Sequence, residues 1–549
     1  MKIMVGSAPV VKAPVSTSIR TVVFSFDRPD ALRRLSGEAF DVLVVGGGIT
    51  GVGCALDAAT RGLRVALVEA HDFASGTSSR SSKLVHGGLR YLQQGELRLV
   101  YEALAERQIL RRNAPHLVHM LPFLLPIFRD RGLIDRRLGR GLGLAMWGYD
   151  LTGGFRYGKL HDRLTKNEAL ARFPTLDADR LTSAYVYYDA QTDDARLTLA
   201  IARTAAFHGA ALANYASVRS LQHDRSGRVV GAGVDVDGAT IDIRARVIVN
   251  ACGVWSDRVR ALDRAAAPPL IRPAKGIHIT VPRALVGNEI AAVLPVPDDK
   301  RTIFVVPWGD FTYIGTTDTD YDGSIDDPRC TEDDVAYLLR AINASLARAL
   351  HQDDIVGAWA GLRPLVAADH NGRARTSDLS RRHIVHAAPS GLITVTGGKL
   401  TTYRRMSEDT IDRAIHLLGA RGHRCLTKTV PLVGSDPGND PHVPAHLIER
   451  FGSEAIEVQR IAEQPDLARP LIAGLPYLRA EVVFAARYEM ARTVDDILSR
   501  RTRARVLARE ASVAAAEDVA TLIGDELGLS LATRRQQVIT YRARVDDAE

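Results

Sequence analysis

The chain has 549 residues, of which 46% are hydrophobic and 25% are charged, and it carries a formal net charge of +7. Four widely spaced cysteines and the lack of any apolar run near the roughly 18 residues that span a bilayer exclude a disulfide scaffold and a transmembrane protein, and predict a cytoplasmic globular protein with reduced thiols. The basic balance favours an anionic partner: a phosphorylated substrate, a nucleic acid or an acidic membrane surface.

Residues 1–37 are interpreted as an N-terminal extension without ordered structure. Residues 1–24 contain few acidic side chains, and they lack the charged region, apolar core and cleavage site of a signal peptide.

A βαβ unit follows the extension. Residues 40–45 and 63–69 are apolar and predict two strands, and a helix is predicted over 54–60 between them. The turn between the first strand and the helix has the pattern Gly-x-Gly-x-x-Gly, at Gly46, Gly48 and Gly51. This order of elements predicts a parallel sheet.

The glycine turn indicates a dinucleotide site. The first glycine permits a tight turn, the second lets a pyrophosphate approach, and the third lets the helix pack closely against the strand. The helix N-terminus at Ile49 and Thr50 offers free N–H groups to phosphate. Glu69 ends the second strand, about 20 residues further on, where a carboxylate binds the ribose. A structural turn and a solvated strand-end charge are the alternatives.

Residues 72–92 are rich in serine and glycine and favour FAD over NAD. Small residues let the backbone run close to a flat ring, while hydroxyl and N–H groups bind phosphate and ring heteroatoms. A flexible linker is the alternative interpretation, but linkers rarely combine His86, Arg90 and Tyr91 with large apolar residues.

The remaining elements are predicted from apolar patterns and small-residue turns. Strands are expected at 247–250 and 392–396, and antiparallel strands of a second sheet are expected at 303–306 and 312–315. Helices are expected from about 399, over 331–350 with Thr331 as N-cap, and over 480–510.

Several motifs resemble those of the FAD-dependent (respiratory) glycerol-3-phosphate dehydrogenases. They occur in family order over roughly residues 38–510, at 81–92, 102–107, 114–116, 275–278, 315–320, 361–365, 397–403 and 500–503. The resemblance implies an α/β, D-amino-acid-oxidase-like fold: an FAD-binding Rossmann domain interleaved with an antiparallel-sheet substrate domain over 38–405, and a C-terminal helical cap domain over 406–549. The N-terminal extension and Ile277 depart from the family pattern.

The resemblance and the residue types together give an expected FAD site, and no metal site is expected. The cofactor-binding residues are predicted to be Gly46, Gly48, Ile49, Thr50, Gly51, Glu69, Ser78, Ser79, Ser82, Lys83, Leu84, His86, Gly87, Gly88, Gly253, Gly397, Gly398, Lys399, Leu400 and Thr401.

The expected reaction is oxidation of sn-glycerol 3-phosphate to dihydroxyacetone phosphate. A proton leaves the alcohol oxygen, and a hydride leaves carbon for N5 of FAD. His278 is the predicted base because neutral imidazole suits this task near pH 7. His86 is the competing candidate, and a histidine that is merely packed or at the surface is the alternative for either.

Cationic side chains are predicted to bind the substrate. Arg363 and Arg381 are expected to grip the phosphate, because guanidinium groups bind phosphate bidentately, and Arg382 competes with Arg381. Arg90, together with Tyr91, is expected to hold the substrate over the ring and to take part in catalysis.

Lys399 stands where a Gly-Gly turn enters a helix. Because a lysine at a helix start opposes the dipole unless an anion is near, it is expected to reach the substrate or to support negative charge on the reduced flavin.

The resemblance implies a membrane quinone as the electron acceptor. Apolar residues 117–128 and 142–147 flank several arginines between 129 and 140 and predict peripheral contact with the inner face of the cell membrane, with a buried helix and basic rim as the alternative. An oxygen-using glycerol-3-phosphate oxidase, a related FAD-dependent amine or amino-acid oxidoreductase, and an inactive FAD-binding scaffold remain open. Aromatic residues are only 6%, so nucleic-acid binding is not expected, and a homodimer is left open.

Overall fold

Two β-sheets and a C-terminal group of helices make up the computed structural model, which describes residues 23–88, 97–130, 132, 161–297, 299, 301–366, 383–420, 424–436 and 441–546. The strands are β1 (Ala39–Val45), β2 (Val65–Val68), β3 (Leu84–Val85), β4 (Val118–Phe128), β5 (Asp162–Thr165), β6 (Leu181–Thr192), β7 (Ala211–Ala213), β8 (Ala216–His223), β9 (Val229–Val236), β10 (Ala239–Asn250), β11 (Ile271–Pro282), β12 (Ala291–Pro295), β13 (Thr302–Trp308), β14 (Phe311–Gly315), β15 (Thr319–Asp320), β16 (Gly357–Val366), β17 (Ile384–Ala387) and β18 (Ile393–Thr396). The helices are α1 (Arg28–Gly37), α2 (Ile49–Thr60), α3 (Leu97–Asn113), α4 (Lys166–Arg172), α5 (Asp194–Phe207), α6 (Ser256–Asp263), α7 (Arg283–Val286), α8 (Glu332–Asn343), α9 (Tyr403–Leu418), α10 (Ala445–Phe451), α11 (Ala455–Ile461), α12 (Arg479–Tyr488), α13 (Ala504–Leu507), α14 (Arg509–Ala514), α15 (Ala516–Leu527) and α16 (Leu531–Asp546).

The first sheet has a parallel centre in the strand order β18-β10-β1-β2-β7. Successive side chains of β1 enter different cores: Val44 packs with α2 and α5, and Val45 packs on the opposite face with α1. A strand that buries both faces must lie between two layers, as strands of parallel sheets do. The βαβ unit expected at 40–69 is confirmed, and all four cysteines are free thiols, as predicted.

Strand β11 organises the second sheet, because it pairs in antiparallel fashion with β14, β15 and β16. The antiparallel strands expected at 303–306 and 312–315 are confirmed, since β13 pairs with β14. The register of β11 places His278 opposite Gly315 of β14 and opposite Trp359 of β16. This sheet therefore brings residues that are distant in sequence to one point beside the parallel sheet.

Buried ion pairs fasten the C-terminal helices to the first βαβ unit. A π-helical turn at Asp496–Arg501 presents Arg500, whose Nε donates to Asp72 Oδ2 at 2.6 Å, and Arg501, whose Nη1 donates to the same oxygen at 2.7 Å. Burial alone would raise the pKa of Asp72, but the charges of Arg501 and Arg500 hold it below its usual value. Removing one partner of such a buried set would leave charge uncompensated.

The prediction of one continuous helix over residues 480–510 is wrong. Helix α12 ends at Tyr488, and the chain then passes through Met490 and Arg503, whose φ angles of +52° and +65° are left-handed. The break lets successive arginines of 500–503 turn inward to carboxylates of the first part of the chain. The local helical pattern cannot reveal this, because those partners lie several hundred residues away.

The helix expected over 331–350 is shorter than predicted. Its start is confirmed: Thr331 Oγ1 accepts the N–H of Asp334, and the Asp334 carboxylate accepts the N–H of Thr331, so the two form a capping box. Helix α8 ends at Asn343, because the Asn343 side chain closes a loop there. Its Nδ2 donates to the Leu350 carbonyl oxygen at 2.8 Å, and its Oδ1 accepts the N–H of Leu350 at 2.8 Å.

The expectation that all of residues 1–37 lack ordered structure is wrong. Residues 28–37 are not a disordered extension: they form α1, and the buried Arg28 donates to the carbonyl oxygens of Asn214 at 2.9 Å and Tyr215 at 3.1 Å. The boundary expected between residues 405 and 406 lies within α9, which packs on α2, and it stays a prediction.

Residues 117–128, expected at a membrane surface, lie mostly in the interior. Residues 118–128 form β4, which pairs with β6 and β12, and its residues from Phe123 to Phe128 are almost all buried. Residues 123–128 are therefore not available for the interfacial contact predicted for this stretch, and the alternative of a buried helix is wrong because residues 118–128 form a strand. Residues 133–150, which include the rest of that patch, lie outside the described residues. In the described part of the chain, no helix has the length and apolar character needed to cross a membrane.

Replacing Asp72 with Asn should lower the free energy of unfolding by about 3–5 kcal/mol, because Arg500 and Arg501 would stay buried and would lose the carboxylate that they share. Urea unfolding followed by circular dichroism would measure the change. The matched control is Asp41→Asn: the partners of Asp41, Arg64 and Arg246, are 61% and 60% exposed, so its loss should cost less than about 1 kcal/mol. Equal losses in the two variants would contradict the assignment.

Candidate active site

A cleft of about 760 Å³ opens at the carboxyl ends of the parallel strands and extends to the middle of β11 and β16. Ligands of open parallel sheets bind at this edge, and the volume lies within the range of about 300–1,000 Å³ usual for small-molecule sites. Most of the expected site residues that are described line it: Gly46, Gly48, Ile49, Thr50, Glu69, Ser78, Ser82, Leu84, His86, Gly253, His278, Arg363, Gly397, Gly398, Lys399, Leu400 and Thr401.

The glycine turn shows a different steric constraint at each position. Gly46 has φ +110°, and a Cβ on Gly51 would lie 1.9 Å from the Gly46 carbonyl oxygen, so Gly51 serves packing and does not line the cleft. A Cβ on Gly48 would meet only the Ser78 hydroxyl oxygen, at 3.2 Å. The backbone at Gly48 therefore faces open cleft, where a phosphate can approach the N-terminus of α2.

Glu69 lies beside this turn with both carboxylate oxygens engaged by backbone. Oε2 accepts the N–H of Gly47 at 2.6 Å, and Oε1 accepts the N–H of His71 at 2.9 Å. Each oxygen keeps a second lone pair that can accept a ribose hydroxyl. Burial raises the pKa of Glu69, and the two backbone N–H groups oppose that shift.

A second turn approaches the cleft from β18. Gly397 and Gly398 have φ angles of +78° and +74°, which side chains rarely tolerate, and Lys399 then leads through a 3-10 turn into α9. Thr401 Oγ1 accepts the N–H of His86 at 3.1 Å. The two predicted cofactor-binding segments, 82–86 and 397–401, therefore touch each other directly.

His278 stands at the inner wall of the cleft. Its ring stacks on Trp359, with the two centroids 4.6 Å apart and the planes 8° from parallel, and its Nε2 lies 2.9 Å from Ser82 Oγ. Gly315 leaves room for the ring, because a Cβ there would lie 2.2 Å from His278 Cδ2. Burial, followed by the charges of Lys83 and Arg363, holds the pKa of His278 well below its usual value, so the imidazole is neutral near pH 7.

Arg363 extends from β16 over Gly276 of β11, two residues before His278. A Cβ on Gly276 would lie 2.6 Å from Arg363 Nη2, so this glycine makes space for the guanidinium group. Arg363 Nη1 donates to Asp318 Oδ1 at 3.1 Å, and Nη2 donates to Thr316 Oγ1 at 3.2 Å. A fixed cation thus stands next to a neutral imidazole at one end of the cleft.

Five expected cofactor-binding residues do not line the cleft: Gly51, Ser79, Lys83, Gly87 and Gly88. Lys83 points away from it, with Nζ 3.1 Å from Asp194 Oδ1 and 3.1 Å from the Ser79 carbonyl oxygen.

Three expected substrate-binding residues, Arg90, Tyr91 and Arg381, lie outside the described residues, as does the competing candidate Arg382. Their roles stay predictions.

Several residues that shape the site escaped the sequence analysis. Asp318 and Thr316 hold Arg363, Trp359 orients His278, and Asp194 holds Lys83. In the sequence, Thr316 and Asp318 were indicated only by the motif at 315–320 that resembles the family, and neither residue was assigned a role. Trp359 and Asp194 act through long-range pairing, which neither periodicity nor spacing reports.

The residues present fit FAD. The open backbone at Gly48 and the N-terminus of α2 suit a pyrophosphate, Glu69 suits a ribose, and the paired segments 82–86 and 397–401 offer backbone and hydroxyl groups to a ring system. His278 and Arg363 would then lie at the ring end of the cofactor.

Comparison with known proteins agrees with this geometry. The family model for FAD dependent oxidoreductase matches residues 41–404, and the model for the C-terminal domain of alpha-glycerophosphate oxidase matches residues 411–534. Glycerol-3-phosphate dehydrogenase 2 of Mycobacterium tuberculosis is 41% identical, over 94% of this chain and 90% of that protein. The mitochondrial glycerol-3-phosphate dehydrogenase of Mus musculus is 40% identical, over 91% and 72%. The crystal structure of glycerol-3-phosphate dehydrogenase from Bacillus halodurans complexed with FAD is 31% identical and superposes with a TM-score of 0.77, over 94% of this chain and 97% of that one.

Alanine at Gly48 and alanine at Gly51 should have separable effects. Gly48→Ala should leave the apoprotein folded but weaken FAD binding by about tenfold or more, or about 1.4 kcal/mol, because the methyl group occupies the space left for the pyrophosphate. Gly51→Ala should instead lower the melting temperature of the apoprotein, because its Cβ meets backbone. Titration of apoprotein with FAD and thermal unfolding would measure both. Normal FAD affinity in folded Gly48→Ala protein would contradict the placement.

Proposed function

Because this chain belongs to the FAD-dependent glycerol-3-phosphate dehydrogenase family, we propose that it oxidises sn-glycerol 3-phosphate to dihydroxyacetone phosphate and passes the electrons to a membrane quinone. The observation that carries the proposal is the neighbouring placement of Arg363 and His278 in the cleft that fits FAD. One residue supplies a cation for a phosphate, and the other supplies a neutral acceptor for an alcohol proton.

Arg363 binds the substrate phosphate in this proposal. Its contacts with Asp318 and Thr316 fix the direction of the guanidinium group before substrate arrives, so little side-chain freedom is lost on binding. Asp318 neutralises part of its charge, so further cations are needed for a phosphate dianion. Lys399 lines the same cleft, and Arg90 and Arg381 remain the other predicted contributors.

His278 accepts the proton of the substrate alcohol. Nε2 is in contact with Ser82 Oγ at 2.9 Å, so the substrate hydroxyl must replace Ser82 at this nitrogen before it can give it a proton. The stacked Trp359 prevents the ring from turning away. FAD, when bound, supplies the electron acceptor for the alcohol carbon.

The choice of acceptor rests on the relatives. Those named above, at 40–41% identity, carry the name dehydrogenase, whereas the model that matches residues 411–534 is named after an oxidase. Glycerol-3-phosphate oxidase is therefore the second candidate. Hydrogen peroxide formed in step with substrate consumption in air would favour it, and rapid turnover with a soluble quinone but not with oxygen would favour the dehydrogenase. Peripheral membrane contact is part of the proposal but is not assigned to residues 117–128.

Anaerobic addition of glycerol 3-phosphate should bleach the visible flavin band of the purified holoenzyme. Arg363→Met should raise the KM about 10- to 100-fold, because a charge-assisted bond to phosphate is lost. The matched control, Arg272→Met, removes an arginine of β11 that pairs with Asp320 and does not line the cleft, and it should leave the KM within about twofold. A flavin that stays oxidised in the wild-type protein would overturn the proposed function.

His278→Asn should slow anaerobic flavin reduction by at least about 10²-fold. In the wild-type protein, the rate should stay level as the pH falls to about 6.5 and drop only below it, because the depressed pKa keeps His278 neutral down to lower pH. Stopped-flow absorbance would measure both effects. His116→Asn, which changes a buried histidine that does not line the cleft, is the control. Ordinary reduction in His278→Asn would remove this residue from the mechanism.

A further inference from the structure

The cleft segment 79–84 is held from behind by a residue of the C-terminal helical part. Ser81 and Ser82 line the cleft, and Ser82 also contacts His278. On the far side of the segment, Arg503 Nη1 donates to the Ser79 carbonyl oxygen at 3.0 Å. A single guanidinium group from a distant domain therefore touches the backbone that forms the cofactor wall.

Asp194 links this arginine to the rest of the segment. Its Oδ2 accepts the N–H and the hydroxyl of Ser81 at 3.0 and 2.7 Å, and its Oδ1 accepts Lys83 Nζ at 3.1 Å. Arg503 Nη2 donates to the same Oδ1. Each partner of the Asp194 carboxylate is thus either on the cleft segment or on the C-terminal part, apart from the backbone N–H of its own helix at Ala195.

The charges in this cluster balance. Arg503 Nε also donates to Asp193 Oδ1 at 3.0 Å, so two carboxylates face two cations, Arg503 and Lys83. Asp194, Lys83 and Arg503 are buried, at 0%, 2% and 1% exposure. Without Arg503, the two carboxylates would lose a cation in direct contact with both of them, and the segment would lose a backbone contact.

We propose that Arg503 is a positioning residue for the FAD site: through Asp194 and the Ser79 carbonyl it fixes segment 79–84, so that docking of the C-terminal helices sets the shape of the cofactor wall. The inference rests on the proposed function only in placing FAD in this cleft. Its readouts need no substrate, so its failure is distinguishable from failure of the substrate assignment.

The test compares two buried arginines at the same domain interface. Arg503→Met removes the contacts to the segment. Arg203→Met removes an equally buried pair, between Arg203 of α5 and Glu454, whose oxygens lie 2.5 and 2.9 Å from the guanidinium nitrogens and which touches no residue of the segment. FAD dissociation constants come from titration of apoprotein, and the visible circular dichroism of the flavin is recorded at saturating FAD.

Arg503→Met is expected to weaken FAD binding by about tenfold or more and to change the flavin circular dichroism even when saturated. Arg203→Met is expected to lower the melting temperature but to keep the FAD dissociation constant within about twofold and the spectrum unchanged. Equal effects of the two variants on FAD affinity, or an FAD dissociation constant within about twofold of wild type in Arg503→Met, would overturn the proposal.

Two milder variants keep the test decisive if Arg503→Met does not fold. Arg503→Lys keeps the charge but loses the forked geometry, and Ser81→Ala removes the hydroxyl bond to Asp194. Each should weaken FAD binding by about threefold or more, and the double variant should lose less than the product of the two, because both act through Asp194. Wild-type affinity in both single variants, or fully multiplicative losses in the double variant, would overturn the proposal.

Discussion

Asp72 and Asp194 are the buried carboxylates on which the arrangement of the molecule depends. Both are completely buried in the first part of the chain, and arginines from 500–503 neutralise both. A buried carboxylate without a counter-charge is strongly unfavourable, so the sheet part of the protein is complete only when the helical part is docked. Apolar side chains of both parts also pack together in this interface.

The docked C-terminal helices support the cleft but do not form most of its wall. The cleft walls come from the turns after β1, β10 and β18 and from β11 and β16, all in the sheet part of the chain. Behind one wall, however, lies the ion cluster of Lys83, Asp194 and Arg503, which is almost completely buried. Some side chains touch the ligand, and others hold those side chains in place. Catalysis requires that both sets be positioned accurately.

The sequence predicts local features well and long-range ones poorly. The strand-turn-helix unit with Gly46 and Gly48 was predictable because tight turns and apolar strands leave local patterns. The cleft also contains His278 and Arg363, which residue chemistry and the family resemblance both indicated. Pairs such as Asp318 with Arg363 depend on tertiary contacts, so no spacing rule reveals them. The helix prediction for residues 480–510 was wrong for the same reason, because helical periodicity does not show that buried arginines interrupt a helix.

The register of β11 has a consequence for how this protein can change in length. Gly276 and His278 lie on the same face of the strand, because successive residues of a strand face opposite sides of the sheet. Deleting or inserting one residue before them would send both to the opposite face, while the glycine turn at Gly46 would stay intact. Such a protein could still hold its cofactor but would no longer present His278 to a substrate. A loop around this sheet can lengthen without this effect, whereas a one-residue change within β11 reverses the faces of all residues beyond it.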